Sequence, residues 1–107
     1  MSAEKAIVVM VTAGGRAEAE RIAAVLVERR LAACVQILPE VLSTYRWQDA
    51  VERSSEYMLL IKTTLTRFDK LEREVRAVHS YDTPEIIALP VVGGSPDYLA
   101  WLRENSK

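Results

Sequence analysis

One loop near the end of the chain brings together side chains that can bind a cation. An imidazole, a phenol and two carboxylates fall within the segment His79-Ser-Tyr81-Asp82-Thr-Pro-Glu85. Imidazole and carboxylate groups are common ligands of divalent transition metals. We therefore treat His79, Asp82 and Glu85 as a candidate metal site. The alternative, which spacing alone favours, is that His79 caps the negative end of a helix while the carboxylates organise a turn.

Aromatic residues with polar tips form a second candidate set. Tyr45 and Trp47 lie in a predicted strand with a two-sided pattern, and such rings anchor interfaces or line ligand clefts. Tyr81 joins them as a cleft or interface residue. Trp101 belongs to the same set, although an aromatic residue in an amphipathic helix is more often packed against a sheet.

Lys62 places a charge at the end of an apolar strand, in the segment Leu59-Leu-Ile-Lys62. If Lys62 is buried, its charge requires a partner of opposite sign, such as Glu85 or Glu56. A structural ion pair is favoured over a catalytic amine. Lys62 is also a candidate cleft residue.

The composition excludes several classes of function. The 107 residues carry 14 basic and 15 acidic side chains and one cysteine, Cys34. Balanced charge argues against nucleic acid as a partner, and a single cysteine suits a reducing cytoplasm. The apolar run from Ala6 to Val11 is too short for a membrane span. The chain also lacks the common catalytic motifs, so we predict that it is not an enzyme.

Hydropathy patterns and the positions of Gly and Pro predict the element order β-α-β-β-α-β-α. The long second strand is expected to bend at Pro39, and a capping box at Thr66 and Asp69 should open the second helix. The fourth strand contains Pro90 and is therefore expected at a sheet edge or at a bulge. The predicted elements are strand 6–12, helix 17–30, strand 33–47, a polar turn 48–55, strand 56–64, helix 66–79, strand 85–92 and helix 96–104.

This order predicts one α+β domain, residues 1–107, with a ferredoxin-like split β-α-β fold. Right-handed crossovers place both long helices on one face of an antiparallel sheet. Strand one and the segment from Met58 to Ile61 are apolar on both faces, and the short terminal helix shields only part of the second face. We therefore expect self-association, although periodicity alone does not choose between two and three subunits.

Five motifs together resemble the CutA divalent-cation-tolerance proteins. The resemblance spans nearly the whole chain and implies a ferredoxin-like fold, a homotrimer held by the long hairpin strands and similar to PII-type signal transducers, and an association with copper and other divalent cations. Catalysis is not implied. The motifs are Leu31-Ala-Ala-Cys-Val, Ser43-Thr-Tyr-Arg-Trp47, Lys62-Thr-Thr, His79-Ser-Tyr-Asp-Thr-Pro-Glu85 and Asp97-Tyr-Leu-Ala-Trp101.

Two departures from the family bear on the metal. Some bacterial relatives carry a cysteine where this chain has Val11 and a second histidine where it has Val78, so of that suggested set this chain keeps only His79. Loss of these ligands disfavours a specific copper site, and a bound ion, copper or zinc, is not expected to be required for folding. The leading hypothesis is a trimeric cytoplasmic protein that binds or responds to divalent cations. The alternative is a PII-like signalling or scaffold protein whose intersubunit clefts bind a small molecule or a protein.

Overall fold

A computed structural model of the chain describes residues 4–107; the first three residues of the predicted domain lie outside this range. The order of elements agrees with the sequence prediction. They are β1 (Ala6–Ala13), α1 (Arg16–Glu28), β2 (Cys34–Trp47), β3 (Ala50–Thr64), a 3₁₀ turn (Leu65–Arg67), α2 (Phe68–Val78), β4 (Ile86–Pro90) and α3 (Pro96–Glu104).

The four strands form one antiparallel sheet in the order β2-β3-β1-β4. This is the predicted split β-α-β arrangement. Alternate side chains of β1 and β3 are buried against α1 and α2, which cover one face, because successive residues of a strand point to opposite sides. The core formed there includes Val9, Val11, Leu59 and Ile61 from the sheet and Ile22, Leu26, Leu71 and Val75 from the helices.

The opposite side of the sheet, which we call the open face, is also largely apolar. Its residues include Val8 and Met10 of β1 and their β4 neighbours Leu89 and Ile87. α3 packs against β1 and β3 and buries Leu102, yet Ile87 and Leu89 remain 49% and 46% exposed. The terminal helix therefore shields only part of this face, as the sequence predicts.

The β2–β3 hairpin is longer than the sequence predicts. Its turn is the pair Gln48 and Asp49, with φ of 49° and 66°, and β3 begins immediately afterwards at Ala50. The prediction of a polar turn over 48–55 was therefore wrong. The outer part of the hairpin is exposed on both faces, so its strands lack the apolar alternation that marks a half-buried strand.

The predicted bend in β2 is present. The pairing register between β2 and β3 shifts between Leu38 and Val41, and Glu40 has a φ of 52°. An extra residue in one strand bends it and increases its twist. The bend follows Pro39 and redirects the outer half of the hairpin relative to the core of the sheet.

The start of α2 differs from the prediction, whereas its end and the edge position of β4 agree with it. The capping box at Thr66 and Asp69 does not form; a 3₁₀ turn leads into the helix, and the Thr66 hydroxyl donates to the Glu4 carboxylate at 2.6 Å. The helix ends before His79. Within residues 4–107 every helix is too short or too polar to cross a membrane.

Candidate functional site

The α2–β4 loop, residues 79–85, is attached to the end of β1 by His79. The His79 Nε2 lies 2.8 Å from the carbonyl oxygen of Thr12, and the backbone N–H of Tyr81 points to Nδ1 at 3.1 Å. A carbonyl can only accept and an N–H can only donate, so the neutral ring carries its proton on Nε2. The His79 side chain is fully buried. Both ring nitrogens therefore serve to position the loop.

Glu18, in the first turn of α1, fixes the same loop from the other side. The backbone N–H and the hydroxyl of Ser80 donate to its carboxylate at 2.7 and 3.0 Å. Burial by itself raises the pKa of Glu18, but the two hydrogen bonds from Ser80 and the nearby His79 outweigh it and leave that pKa below its ordinary value. The ionised carboxylate is thus the form that holds the loop.

The loop and the hairpin together enclose a cleft of about 670 Å³ on the open-face side of the sheet. We call it the aromatic cleft, because the rings of Tyr45, Trp47 and Tyr81 line it. Tyr45 and Trp47 project from the same side of β2 because they are two residues apart. Gly14 permits the close approach of the loop, since a Cβ there would lie 3.0 Å from the Tyr81 hydroxyl.

Three carboxylates, from Glu56, Asp82 and Glu85, also line the aromatic cleft. Glu56 is only 7% exposed, and the Tyr81 hydroxyl donates to its Oε2 at 2.9 Å. Burial and the bond to Glu56 raise the pKa of Tyr81 to about 12. Burial and the charge of Glu56 also raise the pKa of Glu85. The cleft therefore has a negative potential.

The predicted metal ligands are only partly brought together. Asp82 and Glu85 line the aromatic cleft, whereas His79 does not. Among residues 4–107, no three His, Cys, Asp or Glu side chains are arranged to hold one metal ion. Because both ring nitrogens of His79 are hydrogen bonded, the imidazole has no free lone pair to offer in this arrangement.

The aromatic set separates into two groups. Tyr45, Trp47 and Tyr81 meet in the aromatic cleft, and Trp47 is 51% exposed there. Trp101 lies on α3, where its ring is 5.5 Å from that of Tyr98, and it is 45% exposed. Trp101 does not line the aromatic cleft.

Lys62 has a different partner from the one predicted. Its Nζ donates to the side-chain oxygen of Gln36, on the neighbouring strand, and it forms no ion pair with Glu56 or Glu85. The prediction was wrong because Lys62 pairs with Cys34 near the start of β2. Glu56 lies six residues earlier in β3, close to 20 Å away at the rise of an extended strand.

Glu56 is the cleft residue whose role the sequence did not reveal. It was expected only as a partner for Lys62. The sequence does contain a sign of its burial. Glu56 lies on the same side of β3 as Met58 and Leu60, and a carboxylate on an otherwise apolar side of a strand indicates a partly buried environment. Thr12, Ser43 and Thr44 also line the cleft without having been predicted to do so.

Comparison with known proteins identifies the relatives of this chain. The family model for the CutA1 divalent ion tolerance protein matches residues 7–105. The chain is 50% identical to the divalent-cation tolerance protein CutA of Thermus thermophilus, over 92% of this chain and 96% of the relative. It is 44% identical to the chloroplastic protein CutA of Arabidopsis thaliana, over 94% of this chain and 56% of that longer relative.

Solved structures agree with the sequence matches. The Thermus thermophilus protein has a TM-score of 0.94 at 49% identity, covering 95% of this chain and 99% of that one. CutA1 from Oryza sativa has a TM-score of 0.94 at 40% identity, covering 97% and 95%. The Archaeoglobus fulgidus protein, described as periplasmic, has a TM-score of 0.92 at 38% identity, covering 95% and 99%. Two of these names give a compartment, the chloroplast for the Arabidopsis thaliana protein and the periplasm for the Archaeoglobus fulgidus protein.

Proposed function

Because the chain belongs to the CutA1 divalent ion tolerance family, we propose that it is a single-domain cytoplasmic homotrimer that binds or responds to divalent cations and is not an enzyme. The observation that carries this proposal is the family match over residues 7–105. The relatives' names favour cation tolerance over the alternative of a PII-like signalling or scaffold protein.

The open face supports the homotrimer. Large apolar side chains that are 42–49% exposed, among them Leu38, Ile87 and Leu89, lie on strands of one continuous sheet. Exposed apolar surface of this kind on a small domain usually marks an interface. A closed ring of copies covers such faces and protects the free strand edges.

The aromatic cleft supports contact with cations. Asp82 and Glu85 supply carboxylate oxygens, and His79 can join them only if Nδ1 gives up the N–H of Tyr81. Val11 is fully buried in the core and Val78 packs against it. A cysteine or histidine side chain at either position would therefore be attached to the backbone in the core and not at the aromatic cleft. We propose copper(II) or zinc(II) as the ion, bound without a role in folding.

Calorimetric titration of Cu(II) and Zn(II) into the metal-free, full-length protein tests this proposal. We expect Cu(II) to bind more tightly than Zn(II), in the usual order of affinities. The double variant Asp82→Asn, Glu85→Gln should weaken binding at least about tenfold, since oxygen donors and negative charge are lost together. Glu28→Gln, at the exposed end of α1, is the control. Failure of both ions to bind the wild type would overturn the metal-binding proposal.

A further inference from the structure

Residues 92–107, which include α3, are tied to the rest of the described chain through side chains. The last main-chain hydrogen bond to another element runs from the Val91 N–H to the Ala6 carbonyl oxygen, at 3.2 Å. From residue 92 to residue 107, every main-chain hydrogen bond stays within the segment. One side-chain bond runs outward, from Arg103 Nε to the Glu4 carbonyl oxygen at 2.8 Å. A segment held in this way can open while the rest of a domain stays folded.

The segment begins at two adjacent glycines, Gly93 and Gly94, between β4 and α3. Without a Cβ, glycine has a wide range of backbone conformations, so this pair can serve as a hinge. α3 has nine residues, and its N-cap, Ser95, makes no side-chain capping bond. Its buried residue, Leu102, lies outside the core that the sheet forms with α1 and α2. Because isolated helices of this length are marginal, α3 depends on the contacts at its other end.

Two arginines from outside the segment hold that other end. Arg30 donates from Nε to the Lys107 carbonyl oxygen at 2.7 Å and from Nη2 to the Glu104 carbonyl oxygen at 2.9 Å. Arg67, in the 3₁₀ turn, donates from Nε to the Ser106 carbonyl oxygen at 2.9 Å. Hydrogen bonds from charged donors are stronger than neutral ones. We call these two arginines the latch.

The backbone of Arg30 indicates that its side chain is needed there. The N–H groups of Arg30 and Leu31 bond to the carbonyl oxygens of Val27 and Leu26 at 3.0 and 2.9 Å, and Arg30 has a φ of 58°. This is the Schellman motif that ends many helices, in which glycine usually occupies the left-handed position. An arginine in that conformation costs free energy that glycine avoids. The two bonds from its guanidinium offset this cost.

We propose that α3 is a hinged lid on the sheet, which opens about Gly93 and Gly94 when the latch releases residues 104–107. The sheet, α1 and α2 stay folded when the lid opens, because their shared core does not include α3. Opening uncovers the parts of β1 and β3 against which α3 packs. This conformational device does not depend on cation binding.

Amide hydrogen exchange of the full-length protein, followed by mass spectrometry of its peptides, tests the lid. In the wild type, residues 99–105 should exchange at least about tenfold faster than β1, because opening the lid costs less than unfolding the domain. Arg30→Gly removes two of the three latch bonds and should raise the exchange of residues 99–105 at least about tenfold further. α1 should keep its protection in this variant, since glycine suits the backbone at that position.

Two further variants separate the latch from a general loss of stability. Arg67→Met removes the third latch bond and keeps an apolar stem, so it should also raise the exchange of residues 99–105. Arg29→Met is the matched control, because the Arg29 guanidinium pairs with Glu74 and not with the segment. It should leave that exchange unchanged. Circular dichroism and gel filtration establish that the variants keep their fold and assembly.

Four results would overturn the inference. The first is equal protection of residues 99–105 and β1 in the wild type, which a neighbouring copy packed over α3 would produce by holding the lid shut. The second is unchanged exchange of residues 99–105 in Arg30→Gly. The third is an equal increase in Arg29→Met. The fourth is an increase in Arg30→Gly that extends equally to β1 and α2, because α3 would then open only with the whole domain.

Discussion

The Tyr81 hydroxyl links the α2–β4 loop to the sheet through its bond to Glu56. Its oxygen lies 2.9 Å from Oε2 of a carboxylate that is 7% exposed. Hydrogen bonds to ionised groups are stronger than those between neutral groups, and an unsatisfied buried acceptor is costly. This single contact therefore fixes the position of the aromatic ring against the sheet.

Replacing Tyr81 with Phe should lower the free energy of unfolding by ~1.5–3 kcal/mol, the usual value for a hydrogen bond to a charged group. Tyr45→Phe is the matched control, because the Tyr45 hydroxyl accepts a hydrogen bond from the Ser54 hydroxyl at 3.3 Å, has no other hydrogen-bond partner within residues 4–107, and belongs to a residue that is 43% exposed. Urea unfolding at neutral pH measures both. Equal losses in the two variants would contradict the special role of the Tyr81–Glu56 bond.

Glu18 makes the attachment of the loop dependent on pH. Burial raises its pKa, but the hydrogen bonds from Ser80 together with the nearby His79 and Arg21 lower it more, so the net pKa is below its ordinary value of 4.5. A depressed pKa means that the ionised carboxylate stabilises the fold above the unfolded-state pKa. That contribution is lost as the pH falls through the lower, folded-state value.

Glu18→Gln should therefore destabilise the protein by ~1–2 kcal/mol at pH 7, the size expected for charge-assisted hydrogen bonds. The difference from wild type should shrink as the pH falls below 4.5. Glu20→Gln, in the same helix and in an exposed ion pair with Arg16, should have little effect at either pH. Thermal unfolding between pH 3 and 7 would contradict this if the Glu18 difference were constant across the range.

The secondary-structure elements that bury a face were predictable, and the outer hairpin was not. α2 has apolar residues at the period of a helix because it packs one side on the core, and β1 is a short, continuous apolar run, which is typical of a strand covered on both faces. Residues 50–55 of β3 are mostly exposed and carry no such period. The hydropathy pattern of a strand reflects which of its faces is buried. A strand that projects beyond the core is exposed on both faces, so its sequence has no apolar–polar alternation by which to recognise it.

The candidate site was predictable in its parts but not in its assembly. The sequence predicted Tyr45, Trp47 and Tyr81 as cleft or interface residues, with an interface favoured for the two strand aromatics. The structure places all three around one cleft, although the loop and hairpin are about 35 residues apart. The sequence assigned His79 to the metal because imidazole is a common ligand. The hydrogen bonds that occupy both ring nitrogens depend on the carbonyl of Thr12, which only the folded backbone places there.

The hairpin turn provides a test at the level of the element. Two residues with positive φ, Gln48 and Asp49, form the two-residue connection favoured between twisted antiparallel strands. L-residues pay ~1–2 kcal/mol for this left-handed region, less for Asp and nothing for Gly. Asp49 therefore occupies a position for which Gly is better suited.

Asp49→Gly should accordingly keep or slightly raise stability, whereas Asp49→Val should lower it by ~1 kcal/mol or more, because a β-branched residue resists positive φ. Denaturant unfolding of the two variants and the wild type measures the order. Glu52→Val, within the adjacent strand, is the control and should be tolerated, since β-branched residues suit strands. Equal stability of the Gly and Val variants at position 49 would contradict the turn geometry.

The single chain has more surface than a compact monomer of its size. Its accessible area is 6839 Å², against ~6,000 Å² expected for a 12.0 kDa protein. The longest dimension, 48 Å, is about twice the other two, 26 and 23 Å. The projecting hairpin, whose outer residues are mostly exposed, and the exposed apolar residues of the open face both contribute to this area.

Light scattering after gel filtration should therefore report three chains for the wild type, and a charge placed on the open face should dissociate them. Ile87→Glu places a carboxylate on that face, where Ile87 is 49% exposed, and burying an unpaired charge between subunits is costly. Val27→Glu is the matched control, because Val27 is 43% exposed but lies on α1, on the other side of the sheet. It should leave the trimer intact.

A wild type that stays monomeric or dimeric at micromolar concentration would contradict the homotrimer. An Ile87→Glu protein that remains a trimer would show that the subunits meet elsewhere, leaving the open face without the cover its apolar residues require.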